Sequence, residues 1–224
     1  MYFDWTWFLI IPALLLGLWA QSHVKSTYNK YATVFSSRGA QAQDVAADIL
    51  RTEGCQDVRI QPIGGDLTDN YDPSTKILNL SQTVYGSSSL AAIGVAAHEA
   101  GHALQHNHGY APLALRSVMV PAVRIGSAMA WPIFILGLLV SFRPLMDIGI
   151  IAFSLAVLFS LVTLPVEFNA SRRALRILAD GHYLNEEEVL GARSVLRAAA
   201  LTYVAAALSS ILQLVRLLVL RNRR

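Results

Sequence analysis

Residues 95–109, "VAAHEAGHALQHNHG", carry four of the chain's six histidines. His98 and His102 stand four apart. On a helix that spacing puts both imidazoles on one face, one turn apart, where they can share a metal ion. Glu99 follows the first histidine, on the side where a metal-bound water would sit, so it can serve as a general base. Gly101 brings no side chain to crowd the metal. The chemistry implied is hydrolysis by a zinc-activated water. Two histidines do not hold a catalytic zinc, which takes three protein ligands and keeps a fourth position for water. A helix with two unrelated histidines would also fit these letters.

His106 extends the same face. It lies roughly 12 Å along a straight helix axis from His98. Both cannot bind one ion at about 2.1 Å. His106 and His108 are therefore read as interfacial or supporting residues, with His106 a ligand only on a bent helix. Glu167, in "LPVEFNASRRALRIL", is the other candidate. It stands where an apolar run ends, and a carboxylate there is costly unless paired or bound to metal. Two readings stand: a third ligand, or an interfacial Glu paired with Arg172 or Arg173.

The elements that must position these residues are legible. Residues 41–53 have Val45, Ala46, Ile49 and Leu50 on one helical face, and Gly54 ends them. "DVRIQPI" alternates as a strand, and "YDPST" is a turn around Pro73. Residues 76–81, "KILNLS", alternate again. Serines then cap a long helix that runs through Gln105 to Gly109. The order is helix, strand, strand, long helix. Residues 76–81 are expected to be an edge strand, where Ile77, Leu78, Asn79 and Leu80 pair with an extended substrate.

The rest of the chain is apolar. Hydrophobic residues make up 54%, charged residues 15%, and mean hydropathy is +0.44. Apolar runs cover residues 3–20, 118–141, 145–166 and 198–220, each near the roughly 20 residues that cross a bilayer core. The start carries Asp4 and no basic residue, so the first run reads as an uncleaved anchor with Trp5, Trp7 and Trp19 at the interfaces. The segments expected are an anchor (1–22), an α+β portion (23–117), a helical hairpin (118–166), a polar helix (167–197) and a last span with a basic tail (198–224). The fold class is mainly α: a multi-pass membrane protein with about four transmembrane helices and a small α+β portion. That portion's core is thin alone, so it is expected to pack on the membrane helices.

Lys25, Lys30, Arg38, Arg51, Arg59, Lys76 and Arg116 fall between runs one and two. Arg172, Arg173, Arg176, Arg193 and Arg197 fall between runs three and four. The positive-inside rule puts both stretches in the cytosol. The tail "RNRR" and Arg216 in the last run pull against four full crossings. A net charge of +3 scattered among apolar runs argues against a nucleic-acid partner. The single Cys55 excludes an internal disulfide and fits a reducing compartment.

"VAAHEAGHALQH", "LTDNYDPSTKILNLSQTVY", "LPVEFNASRRAL" and "AAALTYVAAAL" together resemble the YugP-type neutral zinc metallopeptidases of bacteria. The similarity covers nearly the whole chain, and the family is distantly similar to HtpX. The resemblance implies a gluzincin-like membrane endopeptidase acting on protein or peptide substrates, in the inner or plasma membrane, with its active site facing the cytosol. It implies one zinc per chain on His98, His102 and Glu167, with Glu99 as base. HtpX-type enzymes carry an Asp four residues after the third ligand; here Ser171 stands there. His182, Tyr203, Arg172 and Arg173 are candidates for steadying the oxyanion. Oligomeric state is left open.

Rival classes fare worse. A site-2-type protease needs a Leu-Asp-Gly-type segment, and FtsH-type proteases need a phosphate-binding loop, which also bears on nucleotide binding; neither motif occurs. A metal transporter would place several ligands inside the spans, yet Arg124, Asp147 and Arg216 lie in or at the edge of the later three and no histidine lies in any. A catalytically silent scaffold with a structural zinc remains the alternative.

Overall fold

The computed structural model describes residues 6–222. Asp4, Trp5, Arg223 and Arg224 lie outside them. The elements run α1 (Trp7–Ala32), α2 (Ala42–Thr52), β1 (Arg59–Ile63), β2 (Asn70–Asp72), β3 (Ile77–Ser81), α3 (Leu90–Asn107), α4 (Ala111–Leu139), α5 (Arg143–Asp180) and α6 (Glu186–Asn222). The protein is mainly helical. Among the described residues, α1, α4, α5 and α6 are each long and apolar enough to cross a membrane. The third apolar run and Glu167 share one unbroken helix, α5.

Two compact units form. One gathers residues 1–21, 114–165 and 201–224; the other gathers residues 22–113 and 166–200. The four long helices each contribute to both.

The first unit holds the apolar runs. Many of its large apolar side chains are exposed, Val118, Ile125, Leu139 and Ile151 among them, a surface suited to lipid rather than water. Phe134, Met146, Ile150 and Leu217 pack into a small core. Gly149 lets α5 approach α4: a Cβ there would lie 2.9 Å from the Ala130 carbonyl. Two of the charges within the runs, Arg216 and Asp147, have partners. The Arg216 guanidinium stacks 4.2 Å over the Trp7 ring and its Nε–H donates to Thr6 Oγ1 at 3.1 Å. Arg221 grips Asp147 with two nitrogens, at 2.8 and 3.0 Å.

The second unit is the α+β portion. On α2, Val45, Ala46, Ile49 and Leu50 are buried as the periodicity predicts. Gly54 follows α2 at φ +77°, where only glycine is unstrained, and the Cys55 amide closes the end on Leu50. Ser89 caps α3, its hydroxyl accepting from the Ala92 amide. Asn185 and Glu188 form a capping box ahead of α6, each side chain taking the other's amide at 2.9 Å. Glu188 also accepts from the Ser37 amide at 2.6 Å, tying the chain after α1 to this helix start.

The sheet corrects one expectation. Its order is β1-β3-β2, so β3 is the central strand and not an edge. Residues Ile77 to Ser81 pair in parallel with β1, and Ile77 to Asn79 pair antiparallel with β2. The backbone of Ile77, Leu78 and Asn79 is thus engaged on both sides. The side chains of Leu78 and Leu80 are fully buried in the core with α2 and α3. Residues 77–79 therefore offer no free edge to a substrate strand, and the Leu80 side chain is buried in the core. The strand that displaced them from the edge, β2, has three residues inside a turn-rich stretch, too short to show alternation.

Candidate metal centre

α3 supplies the histidines and α5 the carboxylate. The two helices touch closely because of Gly101. A Cβ there would lie 2.8 Å from the carbonyl oxygen of Ala170, so any other residue would push α5 away. Ala170 is three residues past Glu167, so this contact brings the Glu167 turn down onto the His98–His102 face.

Glu167 is almost wholly buried and its Oε2 lies 3.2 Å from His98 Nε2 and 3.5 Å from His102 Nε2. The two rings meet edge to face at 4.7 Å. Donors held at about 2.0–2.1 Å from one tetrahedral ion lie about 3.4 Å apart, so these atoms fit a zinc ligand set. Glu167 meets both histidines, and Arg173 meets Asn169 and His108. Glu99 has a carboxylate oxygen within 4.8 Å of the ring nitrogens of His98 and His102. It is buried, 9% exposed. Burial opposes charge on His102, but Glu167, Glu99 and Gln105 outweigh it and hold the ring's pKa above the ordinary value.

Each ring is also held from behind. His98 Nδ1 lies 3.1 Å from the Ser171 hydroxyl, one turn beyond Glu167 on α5. His102 Nδ1 lies 3.0 Å from Gln105 Oε1. Sequence reading singled out Ser171 and missed Gln105. The signal was present: Gln105 is three residues past His102, on the same helical face, directly after the apolar Ala103 and Leu104. Asn169, which Gln105 also meets, carried no such mark.

The other expected residues are elsewhere. His106 Nδ1 lies 2.8 Å from the Tyr71 hydroxyl of β2, whose pKa burial pushes up to about 12. His108 accepts from Arg173 at 3.0 Å. His182 sits in an exposed turn just past Asp180, which is roughly 20 Å along α5 from Glu167, so it does not reach the site. Tyr203 belongs to the other unit. Arg172 and Arg173 line a cavity of about 650 Å³ with Leu104, His108 and Asn169.

The comparisons with known proteins bear on this arrangement. No solved structure matches the chain. It is 47% identical, over 93% of its own length and 93% of the relative's, to the "Putative membrane protease YugP" of Bacillus subtilis (strain 168). The model of the family described as "Putative neutral zinc metallopeptidase" matches residues 6–222. An alignment spanning the described chain from end to end, with the His98–Glu99–His102 helix inside it, places this protein in that zinc metallopeptidase family.

Proposed function

We propose that this chain is a membrane-embedded, zinc-dependent endopeptidase that cleaves protein or peptide segments near the cytosolic face of a bacterial cell membrane. The observation that supports it best is the convergence of Glu167 Oε2 on both histidine Nε2 atoms. His98, His102 and Glu167 hold one zinc per chain. When bound, the ion activates a water and polarises the scissile carbonyl. Glu99 takes the proton of the attacking water and passes it to the departing amine. Burial of Glu167 against both histidines keeps that carboxylate from competing as a base. For an extended substrate the available sheet edge is β2, since Pro62 leaves β1 without one backbone donor. The cytosolic orientation draws support from the two basic stretches, which, Arg116 apart, are gathered in one unit.

The test measures zinc per chain and peptide hydrolysis in detergent-purified wild type, Glu99→Gln and Glu167→Ala. Glu99→Gln is expected to keep its zinc and lose activity by about 10²–10⁴-fold. Glu167→Ala is expected to lose zinc. Full zinc in Glu167→Ala would sink this ligand set. Zinc-loaded wild type that cleaves nothing, with Glu99→Gln indistinguishable from it, would favour the silent scaffold.

A further inference from the structure

Gln105 is fully buried between His102 and the turn of α5 that carries Glu167. Its partners leave it one orientation. The main-chain carbonyl of Val166, 2.8 Å away, can only accept, so the Gln105 nitrogen must face it. Asn169 Oδ1 receives the Arg173 Nε–H at 2.8 Å, and a guanidinium only donates. That atom of Asn169 is therefore its oxygen, and the second Gln105 N–H reaches it at 3.0 Å. Both amide hydrogens are then used. What remains for His102 Nδ1, at 3.0 Å, is the amide oxygen, which only accepts.

The ring of His102 must therefore carry its proton on Nδ1. In the neutral ring, Nε2 then presents a lone pair toward Glu167 Oε2. His98 receives no such instruction, because the Ser171 hydroxyl beside its Nδ1 can donate or accept.

We infer that Gln105 is a positioning residue for the zinc site: it fixes the tautomer of His102 and, through Val166, ties α3 to the α5 turn bearing Glu167. The inference rests on the ligand set proposed above. Removing Gln105 frees the ring to take its other tautomer, which puts a proton where the metal must bind. It also releases the link between the helices that supply the ligands. Gln105 touches no substrate and no reacting atom.

Zinc affinity is measured by chelator competition on the full chain in detergent, with the melting temperature of the metal-free protein read on the same samples. Wild type, Glu167→Ala, Gln105→Met and Gln105→Glu are compared. Gln105→Met keeps the length and loses every hydrogen bond, and is expected to weaken zinc binding by about 10–100-fold. Gln105→Glu keeps the acceptor for His102 but loses both donors. It is expected to melt lower than wild type yet bind zinc within roughly threefold of it. Wild-type affinity in Gln105→Met, or equal weakness in Gln105→Glu, overturns the positioning role. If wild type binds no zinc, or Glu167→Ala binds it as wild type does, the ligand set itself falls and this inference falls with it. Should Gln105→Met not fold, the tautomer alone decides. With ¹⁵N-labelled histidine, in metal-free Glu167→Ala, where that carboxylate no longer competes for Nε2, and at a pH where the ring is neutral, His102 is expected as the Nδ1–H tautomer. The Nε2–H tautomer there overturns the inference.

Discussion

The two histidines of the site are steadied by unlike neighbours, and the difference predicts how each can be altered. Gln105 is an acceptor with a fixed orientation, whereas Ser171 offers His98 a hydroxyl free to turn. A carboxylate at position 171 would only accept, and would hold the His98 proton on Nδ1. Ser171→Asp is therefore expected to tighten zinc binding by severalfold in a chelator competition. It is also expected to lower the melting temperature of the metal-free protein, because it adds a negative charge close to Glu167 and Glu99. Weaker zinc binding in Ser171→Asp would show that the hydroxyl's small size, not its freedom, matters there.

At the scale of elements, the site depends on how closely α3 meets α5. Two glycines of α3 should respond oppositely. Gly101→Ala drives a methyl against the Ala170 carbonyl at 2.8 Å. It is expected to cost about 1–3 kcal/mol in denaturant unfolding and to weaken zinc binding, since the displaced turn carries Glu167. At Gly94 a Cβ would meet the Ala192 methyl at 3.4 Å, an ordinary contact. Gly94→Ala is expected to be neutral or to stabilise by up to about 1 kcal/mol through helix propensity, with zinc binding unchanged. Equal damage from both would mean that general crowding, rather than the α3–α5 approach, governs the site. The sheet shows the same dependence on neighbours. The alternation of residues 76–81 marks a strand, but edge or centre depends on what pairs with it, and the short β2 supplies that second partner.

For the molecule as a whole, orientation is the property to test. The native Cys55 is buried, so a Cys55→Ser background leaves the chain without thiols. Lys76 is exposed in the unit that gathers the basic residues of both stretches except Arg116, and Ser141 lies in the join between α4 and α5. In that background, Lys76→Cys is expected to react with a membrane-impermeant maleimide only after lysis, and Ser141→Cys in intact cells. The reverse labelling would turn the active site outward. The exposed apolar side chains of the first unit require lipid or detergent around them, so every measurement belongs to the full chain in a bilayer or micelle.

The sequence by itself determined the periodic and the composed features of this protein. Four apolar runs, the amphipathic face of α2, the capped helix α3 and the one-turn spacing of His98 and His102 are local properties, written within a few turns of chain. The family was legible too, because its motifs recur along the whole length. Tertiary structure alone decided the rest. Glu167 lies 69 residues from His98, and no local pattern separates a carboxylate bound for a metal from one bound for Arg173. The helix-to-helix contact at Gly101 is what brings Glu167 against both histidines. Gln105 and Asn169 acquire their roles only when two helices bury their amides against each other, where every donor must find an acceptor.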